Sequence, residues 1–306
     1  MTGNKLEKLN ELKEISHPLK SDRDLDILLS EIGDKRFVLV GEASHGTHEY
    51  YSWRSRLARR LVAEKGFSII AVEGDWPDCY QINRYIKNYD NSKNSAKDVL
   101  QEFDRWPTWM WANWETIALV EWLRNHNDKQ PEDGRVGFYG MDVYSLWESM
   151  EELFSYAKEN YPAAIPSIQE AMDCFEPYNV KAGFSYANRD YGLPHSCEKE
   201  VEKILTELKK KMPVYDHDRE SAFNADQNAL IAKNADHYYH SMLVGGESTW
   251  NIRDRHMADT VDRLMKYYGP DSKIVIWAHN THIGDARATT MGRHGLLNIG
   301  QLIKEI

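Results

Sequence analysis

Val38-Leu-Val-Gly-Glu42-Ala-Ser-His45-Gly-Thr47 is the stretch that decides the fold, because an apolar run ends at a glycine and a carboxylate and an imidazole follow at once. Two more apolar runs end in the same way. Ile69-Ile-Ala-Val72 leads into Glu73-Gly-Asp75, and Ile274-Val-Ile-Trp-Ala278 leads into His279-Asn-Thr-His282. Short apolar runs of this kind are typical of buried strands. Ligands of open α/β sheets bind beyond the carboxyl ends of the strands, so we expect these three ends to form one pocket.

The rest of the chain alternates between helical and strand patterns. A further apolar run, Val136-Gly-Phe-Tyr139, ends in Gly140-Met-Asp142. This β-α-β alternation predicts an α/β fold with a central, largely parallel sheet flanked by helices. From about residue 146 to 268 the pattern changes to long charged helices without a convincing strand. We therefore expect a single domain over residues 1–306, with a helical lobe inserted between strands three and four.

Composition narrows the classes of partner. The formal net charge of −10 and the pI near 5.7 argue against nucleic acid or an anionic membrane, because both attract basic surfaces. The charged first twenty residues do not resemble a signal peptide, and no stretch approaches the ~20 apolar residues of a membrane span. Cys79, Cys174 and Cys197 are few and far apart, which indicates neither a disulfide framework nor a thiolate metal site. A cytoplasmic protein that binds a small molecule is expected, and its oligomeric state stays open.

The spacing Glu42-x-x-His45 has a specific chemical use. The glutamate can hydrogen-bond one ring nitrogen and fix the tautomer, which leaves the other nitrogen free to take a proton from water. His45 is therefore the candidate base, although many histidines at strand ends have structural roles only. Arg54 follows about two helical turns later and could lean back over the pocket to hold an oxyanion. The alternative is a solvated arginine on a helix that carries four of them.

His279 and His282 add two imidazoles to the same predicted pocket. Their spacing suits hydrogen-bond donation to an oxyanion or the binding of a metal ion. The predicted pocket offers a set of nitrogen and oxygen donors that is compatible with zinc or manganese. These donors are Glu42, His45, Glu73, His279 and His282. The usual zinc signature HExxH is absent from the sequence. A site without a metal or other cofactor is therefore favoured, and a divalent metal is the alternative.

Four further residues are candidates for binding the substrate. Asp75 and Asp142 follow the ends of strands two and three, where turn or cap residues are equally common. Trp109 belongs to a stretch with four tryptophans, Trp106 to Trp114, which could grip an apolar ligand or pack on the sheet. The stretch Arg253-Asp-Arg255-His-Met257 lies near the start of the helix before strand four and could add polar groups to the rim, and Arg255 is the candidate chosen from it.

Six motifs together resemble the erythromycin esterase family. In family order they are Gly41-Glu-Ala-Ser-His45-Gly-Thr-His-Glu49, Val72-Glu-Gly-Asp-Trp76, Trp109-Met-Trp-Ala-Asn113, Tyr139-Gly-Met-Asp142, Asn251-Ile-Arg-Asp-Arg255 and Trp277-Ala-His-Asn-Thr-His282. The resemblance implies an α/β core with a helical lobe, and a cleft in which a histidine activates water to hydrolyse an ester. In antibiotic-resistance members that ester is the macrolide lactone. The family also continues beyond the strand at 274–278, so its C-terminal part is expected to be absent here.

Carried over by position, the resemblance makes His45 the base and Glu42 and Glu73 its carboxylate companions. His279 and His282 would form the opposite wall, and Arg54 would be a cleft residue. No Gly-x-Ser-x-Gly elbow is present, which disfavours an acyl-serine route. The expected activity is therefore hydrolysis of a bulky or cyclic carboxylic ester by direct attack of water. The alternatives are a metal-dependent hydrolase, and a protein of polysaccharide (succinoglycan) biosynthesis that lacks macrolide esterase activity.

Overall fold

Four parallel strands form the centre of the molecule. The computed structural model describes residues 3–89, 93–105, 107–175, 197–211, 219–244 and 248–305. Within these residues the strands β1 (Phe37–Val40), β2 (Ile69–Val72), β3 (Gly137–Gly140) and β4 (Ile274–Trp277) pair in the order β1-β4-β2-β3. In register, Val40 pairs with Trp277, and Val72 pairs with both Trp277 and Gly140. The four carboxyl ends therefore lie level at one end of the sheet, and the predicted parallel α/β fold is confirmed.

Helices surround this sheet. In chain order, those that the structure describes are α1 (Gly3–Glu14), α2 (Asp26–Ile32), α3 (His48–Lys65), α4 (Trp76–Lys87), α5 (Ala96–Leu100), α6 (Trp114–Asn127), α7 (Leu146–Asn160), α8 (Ile165–Phe175), α9 (Glu198–Lys211), α10 (Arg219–Val244), α11 (Thr249–Tyr268), α12 (Asn280–Ile283), α13 (Thr290–Arg293) and α14 (Ile299–Ile303). Within this part of the chain no helix is both long and apolar enough to cross a membrane.

The two faces of the sheet bury different sets of side chains because successive residues of a strand point in opposite directions. Ile70 and Val72 pack with apolar residues of α3, α4 and α6. Ile69 and Ala71 pack on the other face with apolar residues of α11 and α14. Helix layers on both faces explain why β2 is buried along its whole length.

The helical lobe has a core of its own. Apolar residues of α7, α8, α9 and α10 pack together there, with Leu153, Ile168 and Ile204 fully buried. Helices α10 and α11 also reach the sheet-side core, α10 with Ile231 and α11 with Met257 and Val261. Ile252 near the start of α11 belongs to the lobe core, so this helix connects the lobe to the sheet.

A disulfide bond corrects the prediction that no cystine is present. Cys174, near the end of α8, is bonded to Cys197, which directly precedes α9. The two residues are 23 positions apart, but α8 and α9 pack against each other and bring their Cα atoms to 6.1 Å. Only the tertiary packing reveals this pairing. Cys79 is a free, buried thiol.

Candidate active site

Polar residues from all four strands meet at the carboxyl end of the sheet. Glu42 follows β1, Glu73 follows β2, Asp142 follows β3 and His279 follows β4. The amide of Asn280 donates a hydrogen bond to the carbonyl of Glu42 at 2.9 Å, which fastens the first loop to the last. The pocket predicted from the three apolar runs therefore corresponds to one cluster of side chains.

Glu42 holds the candidate base from one side and a buried cation from the other. Its Oε1 lies 2.6 Å from Nδ1 of His45, and its Oε2 accepts a hydrogen bond of 2.6 Å from Nη2 of Arg54. Glu42 is buried, whereas the side chain of His45 keeps 31% of its surface exposed. The predicted Glu42–His45 pair is thus formed, with the imidazole turned toward the open side.

The pair sets both the tautomer and the pKa of His45. A hydrogen bond from Nδ1–H to the carboxylate leaves Nε2 as the basic nitrogen. The hydrogen bond to Glu42 raises the pKa of His45 above its ordinary value of 6.5, and this effect outweighs partial burial. The ring of His279 faces that of His45, with 5.2 Å between the ring centres.

Arg54 does not lean over the open pocket, and this corrects its predicted place in the cleft. It is only 5% exposed, and its guanidinium lies over the rings of Tyr51 and Trp277 at 4.8 and 4.3 Å. Burial lowers the pKa of Arg54 to about 10, although Glu42 opposes this change. Arg54 therefore stays charged at neutral pH and orients Glu42 from behind.

Glu73 binds two parts of the site at once. Its Oε2 accepts the amide hydrogen of His279 at 2.7 Å, and its Oε1 accepts a hydrogen bond of 2.7 Å from Nη2 of Arg253. Burial alone would raise the pKa of Glu73, but the hydrogen bond with His282 and the charge of Arg253 outweigh it and lower the pKa well below 4.5. Glu73 is therefore a fixed anion that positions His279 rather than a direct partner of His45.

His282 lies behind the pocket instead of forming its opposite wall. It is only 2% exposed, its Nδ1 lies 2.9 Å from Oδ2 of Asp254, and its ring stacks on Trp250. Burial alone would lower the pKa of His282, but hydrogen bonds with Asp254 and Glu73 raise it to about 9. Nη1 of Arg253 lies 3.0 Å from Nε2 of His282, so His282 is held from both sides inside the cluster. His279 is the histidine that faces His45.

Arg253 and Asp254 are the residues of the stretch Arg253-Asp-Arg255-His-Met257 that contact the cluster, whereas the sequence-based prediction chose Arg255. Arg253 donates to both oxygens of Asp142, at 2.8 and 2.6 Å, in addition to its bond with Glu73. The predicted residue, Arg255, is exposed on the opposite side of α11. Helical periodicity could have separated the two arginines, because Arg253 lies one turn before the buried Met257, whereas Arg255 lies one turn before an exposed aspartate.

The other predicted substrate-binding residues lie around the cluster. Asp142 is buried against Arg253, which lowers its pKa despite burial. Asp75 forms an ion pair with Arg105, and burial raises the pKa of Asp75 to about 6. Trp109 lies against Gly46, the residue after His45. Contact of any of these side chains with a substrate remains a prediction.

The carboxylates of the proposed metal ligands are already engaged. Both oxygens of Glu42 contact His45 or Arg54, and both oxygens of Glu73 contact Arg253 or the amide of His279. Among the residues that the structure describes, no group of three or more His, Cys, Asp or Glu is arranged to hold a metal ion. A metal ion at these carboxylates would compete with the charges of Arg54 and Arg253.

A parallel α/β protein with a histidine–carboxylate cluster at the strand ends is the class that this fold and site define. The family model named erythromycin esterase matches residues 62–306, so the chain belongs to the erythromycin esterase family. The matched residues include Glu73, Asp142, Arg253 and His279, while the Glu42–His45 motif precedes them.

Individual relatives are distant. Erythromycin esterase type II from Escherichia coli is 23% identical over 309 residues, which cover 95% of this chain and 70% of that protein. A crystal structure described as a succinoglycan biosynthesis protein has a TM-score of 0.73 at 22% identity, over 94% of this chain and 69% of that one. A histidine-to-asparagine mutant of the erythromycin esterase EreC, in its open conformation, has a TM-score of 0.69 at 19% identity, over 94% and 71%. These structural likenesses show a shared fold.

Proposed function

We propose that the protein hydrolyses a carboxylic ester, with His45 as the base that activates water. The observation that carries this proposal is the chain of contacts from Arg54 through Glu42 to His45. A buried cation orients the carboxylate, the carboxylate orients the imidazole, and the imidazole keeps a free nitrogen at the exposed side. This is the arrangement that general base catalysis requires. Membership of the erythromycin esterase family supports the same reaction class.

The proposed reaction proceeds in two steps. Nε2 of His45 removes a proton from water while the water oxygen attacks the ester carbonyl, which forms a tetrahedral oxyanion. The carbon–oxygen bond of the leaving alkoxide then breaks, and the alkoxide takes the proton back from Nε2. The products are a carboxylic acid and an alcohol, and a cyclic ester gives both groups in one molecule. The imidazolium formed in the first step is stabilised by the negative charge of Glu42.

His279 is the proposed donor to the oxyanion. Its Nδ1 accepts a hydrogen bond from the amide of Thr281, so the ring proton is on Nε2. The backbone of His279 is held by Glu73, and its ring faces His45. Donors that are fixed before the reaction stabilise a developing oxyanion most effectively, because they need no reorganisation.

A macrolide lactone is the substrate to test first. Macrolides of different ring size would be incubated with the wild-type protein and with His45→Ala, each with and without a chelator, and analysed by mass spectrometry. We expect a gain in mass of one water that depends on His45 and is insensitive to the chelator. An unchanged macrolide in every sample would contradict this substrate class, and the same assay on other bulky esters would then test ester hydrolysis itself.

Two alternatives make different predictions in the same samples. A metal-dependent hydrolase would lose activity with the chelator, and elemental analysis of the purified protein would find about one equivalent of metal. A polysaccharide biosynthesis protein without esterase activity would bind a glycan and give no hydrolysed product. The name of one structural relative motivates this second alternative.

A cytoplasmic location also stays a prediction, and a disulfide such as Cys174–Cys197 is uncommon in a reducing compartment.

A further inference from the structure

Tyr144 lies at the boundary between the helical lobe and the proposed active site. It comes two residues after Asp142, in the loop between β3 and helix α7. Its half-buried ring packs against the apolar core of the lobe. The ring of Tyr238, on helix α10, meets it edge-on with 5.2 Å between the ring centres. The reaction proposed above gives Tyr144 no role, so its contacts toward the site need an explanation.

The backbone of Tyr144 is held by groups from both the lobe and the sheet. Its carbonyl accepts a hydrogen bond of 3.0 Å from the hydroxyl of Tyr239 on helix α10. The same carbonyl accepts a hydrogen bond of 2.6 Å from Nη2 of Arg105, which forms an ion pair with Asp75 beyond the end of β2. The position of Tyr144 therefore depends on how the lobe is seated on the strand ends.

The ring of Tyr144 fixes Arg253 on a side that the carboxylates leave open. The guanidinium carbon of Arg253 lies 5.0 Å from the centre of this ring, within the range of a cation–π interaction. The hydrogen bonds from Arg253 to Asp142 and Glu73 restrain the edge of the guanidinium. An aromatic ring against its face adds a restraint in the remaining direction and keeps water away from the ion pairs. Tyr144 therefore helps to determine where the charge of Arg253 lies.

Arg253 is in turn connected to the proposed oxyanion donor. Its Nη2 donates to Oε1 of Glu73 at 2.7 Å, and Oε2 of the same carboxylate accepts the amide hydrogen of His279 at 2.7 Å. The two oxygens belong to one planar group, so a displacement of Arg253 turns the carboxylate and changes its hydrogen bond with His279. An unbroken series of contacts thus leads from helix α10 through Tyr144 to His279, as energetic coupling between two parts of a protein requires.

We propose that Tyr144 is a positioning residue through which the helical lobe fixes His279. Tyr144 acts on Arg253 rather than on the substrate, and the seating of helix α10 regulates the geometry of the site through this ring. A shift of the lobe changes how well His279 stabilises the oxyanion, whereas the contact of His45 with Glu42 does not pass through Tyr144. The kinetic consequence rests on the proposed esterase function, but the environment of His279 is measurable without turnover.

The test is NMR of the backbone amide of His279 in the whole protein labelled with ¹⁵N-histidine, with the resonance identified by its loss in His279→Gln. Tyr144→Leu removes the ring, Tyr144→Phe keeps it, and Tyr239→Phe removes only the hydroxyl that reaches the Tyr144 carbonyl. The matched control is Phe154→Leu. Phe154 is a half-buried ring of the lobe core with the ammonium of Lys158 4.5 Å from its centre. Thermal unfolding shows which variants are folded.

An amide proton that donates to a carboxylate is strongly deshielded, because the hydrogen bond is charge-assisted. We expect Tyr144→Leu to move the His279 amide proton upfield and Tyr239→Phe to move it in the same direction by less. Tyr144→Phe and Phe154→Leu should leave it unchanged. The proposal is wrong if neither Tyr144→Leu nor Tyr239→Phe moves the resonance, if Tyr144→Phe moves it as far as Tyr144→Leu, or if Phe154→Leu has the same effect. Should Tyr144→Leu fail to fold, the conservative variant Tyr239→Phe decides alone.

Kinetics on a hydrolysed ester give the second measurement. We expect kcat of Tyr144→Leu to fall by about 10- to 100-fold with KM nearly unchanged, because a donor displaced by a fraction of an ångström stabilises the oxyanion less well. Tyr144→Phe should keep most of the activity. The midpoint of the acid limb should stay where it is in wild type, because the pair of His45 and Glu42 is intact. An unchanged kcat in folded Tyr144→Leu would overturn the positioning role.

The two measurements separate the two proposals. A His279 resonance that responds to Tyr144→Leu in a protein that hydrolyses no ester would refute the esterase proposal and support the coupling of the lobe to His279. Ester hydrolysis by wild type with a His279 resonance that ignores both tyrosine variants would refute the coupling alone.

Discussion

At the scale of single residues, the proposed chemistry depends most on His45. His45→Ala removes the base but leaves the buried pair of Glu42 and Arg54 in place. We expect kcat to fall by about 10²- to 10⁴-fold, the usual contribution of general base catalysis, with little change in Tm. The matched control is His237→Ala, at an exposed histidine of helix α10, which should keep full activity. Near-normal turnover by His45→Ala would disprove its role.

The pH profile should report the contact between His45 and Glu42. A base must be deprotonated to act, and the hydrogen bond to Glu42 raises the pKa of His45 above 6.5. We therefore expect kcat/KM to rise with pH, with the midpoint of its acid limb above 6.5. In Glu42→Gln this midpoint should move to lower pH, because the neutral amide no longer stabilises the imidazolium.

An NMR titration of the His45 ring provides an independent measurement of this pKa shift. Glu49→Gln is the control, because Glu49 is exposed on the first turn of helix α3. It should leave the midpoint unchanged. An identical titration in wild type and Glu42→Gln would show that the carboxylate does not set the pKa of the base.

At the scale of secondary-structure elements, Arg253 connects the first turns of helix α11 to the ends of β2 and β3. Glu73 and Asp142 are both 4% exposed, so Arg253→Met would leave two buried anions without their cation. We expect a loss of about 3 to 5 kcal/mol in the free energy of unfolding at pH 7, measured with urea. Arg255→Met, two residues away on the exposed side of the helix, should change it by less than about 1 kcal/mol.

Lowering the pH should reduce the difference in the free energy of unfolding between wild type and Arg253→Met. The pKa values of Glu73 and Asp142 are lowered in the folded protein from ordinary values of 4.5 and 3.8. A lowered pKa contributes stability above the pKa of the unfolded chain, and the contribution is lost as pH falls through the folded value. Urea unfolding should therefore show a smaller gap between wild type and Arg253→Met at pH 4 than at pH 7. A gap that is constant with pH would indicate lost packing rather than lost charge pairing.

The same elements show how far the sequence alone leads. The strands were predictable because each apolar run ends at polar residues, and the convergence of Glu42, Glu73 and His279 follows from the parallel sheet. The burial of the Arg54 side chain against Glu42 was not predictable, since a long side chain on a helix can turn either to solvent or to a buried carboxylate. Arg253 could have been chosen over Arg255 from the 3.6-residue period of α11, which places Arg253 on the buried face.

At the scale of the whole molecule, the disulfide stabilises the helical lobe. In denaturant, we expect one reactive thiol per chain, that of Cys79, before reduction and three after it. Cys174→Ser should lower the free energy of unfolding by about 3 kcal/mol, as expected when a cross-link spanning 23 residues is removed. Three thiols in the unreduced protein would contradict the pairing.

The strand order also constrains how the chain is made. β4, the last described strand in the sequence, lies between β1 and β2, and it is the strand with which β1 pairs. β2 and β3 can pair as soon as both have left the ribosome. β1 cannot pair until Ile274 and the other residues of β4 have been synthesised. The loop that carries Glu42 and His45, although translated first, is therefore among the last parts of the site to be fixed in place. Chaperone binding during synthesis should be strongest while β1 still lacks its neighbour.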